Sequence, residues 1–200
     1  MGPDPKDMKL LKQSVCLLAT LAVLMIGGCT TQPSVDQSGI DMLALEISKL
    51  GPEVDPREAK RAARIAINYS SQLAQEYGIT DPPLVHNYKV NNGFRERGLC
   101  VHWAEDIEKR LKQENFRTLT LHRAIAPPSH LFRVDHSTAI ISKRGDTFYD
   151  GIVLDPWRYG GVLYWSPTLD DKAYNWRPQI EVLEEKYKTR QATREAAINL

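Results

Sequence analysis

The apolar positions of this chain fall into three regimes. From Val15 to Ile26 they run almost unbroken, from Ile40 to Leu111 they recur mostly at helical spacing, and from Phe116 to Trp165 they alternate or cluster in short runs. The helical regime opens with Ile40 to Leu50, where Leu43, Leu45, Ile47 and Leu50 form a loose stripe closed by Gly51-Pro52. Asp55-Pro56-Arg57-Glu58 predicts a helix start: an acidic cap, proline in the first turn and glutamate three residues after the cap. Ala59, Ala62, Ala63, Ala66, Tyr69 and Leu73 follow on one face until Tyr77-Gly78 supplies a stop. Thr80 to Gly98 reads as a long irregular segment with turn formers at Asp81-Pro82-Pro83 and Asn91-Asn92-Gly93. A further helix carries Cys100, Trp103, Ala104, Ile107 and Leu111 on a single stripe.

Beyond Phe116 the period shortens. Thr118 to Leu121 alternates as a strand, and Ala126-Pro127-Pro128-Ser129 interrupts it. His136 to Ser142 and Thr147 to Leu154 predict a hairpin about the turn Lys143-Arg144-Gly145-Asp146, with Asp155-Pro156 ending its second arm. Tyr159-Gly160-Gly161 turns the chain into a short strand, Val162 to Trp165, and a polar tail or helix occupies residues 181–200. Helices followed by antiparallel strands predict an α+β domain over residues 40–180, with the cysteine helix packed on the sheet.

The first regime has a different meaning. Lys9 and Lys12, the apolar run, and then Gly27-Gly28 before Cys29 have the layout of an export signal, preceded by a short extension at residues 1–7. The run is short for a membrane span. Ile26-Gly27-Gly28-Cys29 is similar to a bacterial lipobox, which implies lipidation at Cys29 after removal of residues 1–28. Residues 29–39 would then tether the domain to the periplasmic face of a membrane, or to its equivalent elsewhere in the cell envelope.

Composition agrees with one globular domain, since 42% of residues are hydrophobic and 26% charged. Loss of residues 1–28 leaves 23 basic and 23 acidic residues, interspersed, so no basic face argues for nucleic acid. No metal-ligand spacing or phosphate-binding glycine loop stands out, and no cofactor is expected. Cysteine use is more informative. Cys16 leaves with the signal and Cys29 carries lipid, so Cys100 is an unpaired thiol in a compartment where thiols tend to pair. At a helix start it lies beside free backbone N–H groups and the positive end of the helix dipole, a setting suited to a nucleophile. The alternative is a buried core cysteine.

A cysteine nucleophile needs a base and a group that orients the base. His136 opens a strand whose hairpin partner ends at Asp155, so sheet pairing brings the two together. His102 points away from Cys100 along the helix. His86 and His122 lack a matching carboxylate at an element end, as does His130, the second choice. The bland alternative is a strand-edge histidine and a turn aspartate before Pro156.

The order Cys100, His136, Asp155 on helix, strand and strand end resembles the bacterial transglutaminase-like cysteine protease superfamily. The matching residues are Gly98-Leu99-Cys100 with Trp103, His136-Ser137-Thr138-Ala139-Ile140, and Val153-Leu154-Asp155-Pro156. Ser137-Thr138 departs from the aromatic residue that family often has after its histidine. The resemblance covers residues 80–160 and implies a papain-like fold and acyl transfer from a peptide or other amide. Cys100 would be the nucleophile, His136 the base and acid, and Asp155 the orienter. The oxyanion would meet the Cys100 backbone N–H and a second donor from Asn91, Asn92 or Trp103. Two other readings stand beside this one. The first is a cell-wall peptidase with a Cys-His pair. The second is a lipoprotein without turnover that uses Trp157, Tyr159, Tyr164, Trp165 and Trp176 as a contact surface, against the alternative of simple packing for at least half of them. No protein partner is specified.

Overall fold

The structure, a computed structural model, describes residues 36–128 and 134–198. The expected signal, Cys29 and His130 lie outside the described residues, and so does the tether up to Val35. Five helices and a five-stranded antiparallel sheet make up the described chain. In chain order they are α1 (Gln37–Ser48), α2 (Pro56–Glu76), α3 (Pro83–Asn91), α4 (Cys100–Lys112), β1 (Leu119–Ala126), β2 (His136–Lys143), β3 (Ile152–Tyr159), β4 (Val162–Pro167), β5 (Arg177–Pro178) and α5 (Gln179–Ile198). The sheet runs β4-β3-β2-β1-β5, which makes the fold α+β. No helix among the described residues is long and apolar enough to cross a membrane.

Two cores sandwich the sheet. On one face, Trp103, Ile107 and Leu111 of α4 pack with Ala139, Ile141 and Leu154. Outside them Ala59, Ala62, Ala63 and Ala66 of α2 meet Ile40, Leu43 and Ile47 of α1, the small side chains letting the helix axes come close. Leu45, expected in that stripe, is 56% exposed, because the true buried spacing is Ile40, Leu43, Ile47. On the other face Ala124, Ile140, Phe148, Val153 and Trp176 form a smaller core.

Several local expectations are corrected. Asp55 caps α2 by accepting from the Arg57 N–H at 2.8 Å, but Glu58 does not reach back to the cap. It is buried and accepts the N–H groups of Arg117 and Thr118 and the Thr118 hydroxyl, at 2.6–3.1 Å, tying α2 to the start of β1. The Asp55 N–H goes instead to Thr118 Oγ1. Burial pushes the Glu58 carboxyl up, but these donors outweigh it and hold the group below its ordinary value.

The segment after Thr80 is not wholly irregular. Pro82-Pro83 starts α3, since proline in the first turn loses no helical hydrogen bond. β1 is longer than its alternating stretch, because pairing with β2 along its whole length overrides the polar residues at its middle. Thr147 does not start β3; Phe148–Asp150 is a 3-10 turn closed by Asp150 on Thr147. Pro156 does not end β3 either. The pairs with β2 run from Ile152 to Leu154, while pairing with β4 reaches Asp155↔Tyr164 and resumes at Tyr159↔Val162 after an irregularity. Proline thus sits where the ladder is already broken. Gly160 and Gly161 make the β3–β4 turn with φ of 60° and 107°, a tight hairpin that suits glycine.

Candidate active site

The segment before α4 is held from three sides. Trp103, 1% exposed, donates its indole N–H to Gly98 O at 2.9 Å and meets Tyr77 edge-on at 4.8 Å. His102 Nδ1 accepts from the N–H groups of Gly98 and Leu99, at 3.2 and 3.4 Å, and so caps the helix through a ring nitrogen. Burial and the nearby Arg97 charge push this imidazole below its ordinary pKa, which keeps Nδ1 free to accept. Arg97 in turn donates to Asp106 at 2.9 Å, and the Tyr77 hydroxyl reaches the same carboxylate.

His86, also buried, donates from Nε2 to Arg97 O at 2.9 Å. It lies so close to Gly98, whose φ is +120°, that a Cβ there would sit 2.3 Å from Nε2. Glycine is required at that point for both reasons. The outcome is a well-tied turn that delivers Cys100 to the first helical position, partly exposed and without a disulfide partner among the described residues.

The hairpin supplies the other two groups. Ala139 pairs with Leu154, so continuing the register sets Asp155 opposite Thr138. His136, two residues before Thr138, lies on the same face within side-chain reach. His136 Nε2 meets Asp155 Oδ2 at 2.6 Å with both side chains buried. The second ring nitrogen, Nδ1, is buried and makes no hydrogen bond among the described residues. The Cys100 sulfur donates to the carbonyl of Asp135, the residue before His136, at 3.7 Å. Burial pushes the imidazolium down, but the Asp155 hydrogen bond and charge, followed by Cys100, outweigh it and push His136 up to about 9. Cys100, His136 and Asp155 are therefore brought together.

Sequence reasoning missed what surrounds the histidine. Its ring lies among Tyr174, Trp157 and Trp176, with centroids 4.4, 4.6 and 5.4 Å away. Trp157 is anchored by donating to Asn87 Oδ1 of α3 at 3.1 Å. Arg158 donates from Nε to Asp155 Oδ2 at 3.1 Å, and from its terminal nitrogens to both oxygens of Asp171 at 3.2 and 2.7 Å. Burial works against the guanidinium, yet Asp171 and Asp155 hold its proton more firmly than usual. In a regular strand, residues three apart face opposite sides; the irregularity after Asp155 turns Arg158 back towards it. A lone Pro156 was the only clue to that.

The oxyanion candidates fare differently. Trp103 cannot be the second donor, since its N–H is committed to Gly98 O. Asn92 donates to Tyr88 O at 2.8 Å, and Asn91 is exposed in the last turn of α3. The Cys100 backbone N–H, in the first turn of α4, has no partner within the helix. Of the five aromatics weighed as a contact surface, only Tyr159 is exposed; Trp157 and Trp176 pack on His136, and Tyr164 lies 3.8 Å from the Arg158 guanidinium. His122, the remaining histidine among the described residues, bonds Ser142 Oγ at 2.7 Å across β1 and β2. Compared with known proteins, the chain matches no family model, no curated protein and no solved structure.

Proposed function

We propose that this chain is a cysteine hydrolase or acyltransferase that acts on a peptide or other amide through Cys100, His136 and Asp155. The observation that carries the proposal is the 2.6 Å His136–Asp155 contact, which commits Nε2 and leaves Nδ1 to exchange protons with Cys100. In the acylation step the Cys100 sulfur bonds to the carbonyl carbon while its proton resides on Nδ1. The oxyanion faces the Cys100 backbone N–H, where no partner competes within the helix. The C–N bond breaks as Nδ1 passes its proton to the departing amine, leaving a thioester. Water, or a second amine, then attacks, gives a proton to Nδ1 and releases the acyl group; the proton returns to sulfur.

The order of the three residues and their placement on helix, strand and strand support a transglutaminase-like relative of the papain-like superfamily. The Arg158–Asp171 buttress behind Asp155 favours a triad over an unassisted Cys-His pair. The Ile26-Gly27-Gly28-Cys29 pattern supports a lipid-anchored protein whose site works in the cell envelope.

The test uses an activated ester, p-nitrophenyl acetate, as acyl donor. The folded protein is expected to release a burst of about one nitrophenol per chain, with the acetyl group recovered on Cys100 by peptide mass mapping. Cys100→Ala abolishes the burst and His136→Ala slows it by about a hundredfold or more. Equal nitrophenol release from wild type and Cys100→Ala would contradict the proposal and leave the reading without turnover.

A further inference from the structure

Behind the triad, Arg158 and the buried Asp171 form an ion pair. Arg158 could place its whole charge on Asp155, and a guanidinium fully paired with that carboxylate would compete with the imidazolium for it. It does not, because Asp171 takes both terminal nitrogens, at 3.2 and 2.7 Å, and leaves of the guanidinium only Nε for Asp155, whose other oxygen accepts the Arg158 backbone N–H at 3.3 Å. Asp171 is itself fixed: Trp176 Nε1 donates to Oδ2 at 2.9 Å and the Ala173 N–H to Oδ1 at 3.3 Å. Its own side chain is 1% exposed, and that of Arg158 13%. The same anchorage holds the segment bearing Tyr174 and Trp176, two of the three rings against His136.

We infer that Asp171 is a positioning residue for the reaction: by holding Arg158 at its far end, it reserves Asp155 for His136 and fixes the aromatic wall around the imidazole. Two carboxylates, one guanidinium and one imidazolium then make a neutral buried set. Without Asp171 the set carries an extra positive charge, which the imidazole relieves by losing its proton.

Among the described residues, the other charged or titratable groups near His136 are few. Cys100 approaches from α4. Tyr174 lies against the ring, and Arg158 also lies over Tyr174 and Tyr164. Asp135, the residue before His136, pairs with Lys186 of α5, so their charges cancel locally.

The inference rests on the proposed function, but its test does not need turnover. The imidazole titration of His136 is followed by NMR in the folded protein, assigned with His136→Gln. Asp171→Asn is expected to lower the His136 midpoint by about one pH unit. Asp171→Asn combined with Arg158→Gln, which removes both charges, restores the midpoint to the wild-type value or above it. A merely structural role would not be rescued by deleting the second partner. An unchanged midpoint in folded Asp171→Asn contradicts the inference. So does a double variant that titrates as low as the single one, and this arm decides if Asp171→Asn alone does not fold. If the midpoints move as expected while no variant, nor wild type, acylates Cys100, Asp171 still reserves Asp155 for His136, and it is the enzyme reading that fails.

Discussion

At the scale of single residues, His136 couples the site to stability. Its pKa of about 9 in the folded chain lies above the value of about 6.5 for an unfolded histidine. A group raised on folding stabilises the native state fully below its unfolded pKa and loses that contribution as pH rises through the folded one. The chain is therefore expected to be most favoured by this group below about pH 6.5 and to lose up to about 3 kcal/mol by about pH 10. Urea unfolding across that window measures it. Asp155→Asn should flatten the dependence, because it removes the carboxylate that does most to raise His136. The three site residues were legible one by one, Cys100 from a helix start, His136 from a strand start and Asp155 from the hairpin register, although Pro156 does not end β3 as expected. Arg158 and Asp171 were not. Their side chains meet only because β3 loses its regular alternation after Asp155, and period-two reading has no means of anticipating that.

Among the elements, the turn before α4 and the start of α2 carry the sharpest expectations. Gly98→Ala puts a Cβ into His86 Nε2, at a φ that L-residues rarely adopt, and is expected to cost about 2–4 kcal/mol. His86 cannot easily give way, being bonded to Arg97 O. Thermal melts measure the loss, and a variant as stable as wild type would show the turn to be softer than its contacts imply. Glu58→Ala strips the Arg117 and Thr118 N–H groups of their acceptor and should destabilise by about 2–4 kcal/mol, read from denaturant midpoints. The capping-box pattern at Asp55 to Glu58 was half legible: the aspartate caps as expected, while tertiary contact with β1 claims the glutamate. α3 was missed for a related reason. Its prolines read as breakers, yet at the first turn of a helix they break nothing, and its nine residues bury little beyond His86.

For the molecule as a whole, the division into helices followed by an antiparallel sheet followed from the change in hydrophobic period alone, as did the β2–β3 hairpin that sets His136 beside Asp155. The edges of the sheet were less legible, since β5 is two residues long and β4 is half exposed. Anchorage is a separate matter, read from residues 1–39. Cys29→Ala is expected to move the expressed chain from the membrane fraction to the soluble one, with loss of acyl mass; retention in the membrane would contradict lipidation. The central claim is that Cys100 acts with His136 and Asp155, and alkylation tests it most directly. Iodoacetamide is added to the folded protein at about pH 6.5, and modification of Cys100 is followed by peptide mapping. Fast alkylation is predicted, slowed about tenfold or more by His136→Ala and to a lesser degree by Asp155→Ala. Slow alkylation that all three chains share, and that only denaturant accelerates, would contradict it and make Cys100 a structural cysteine.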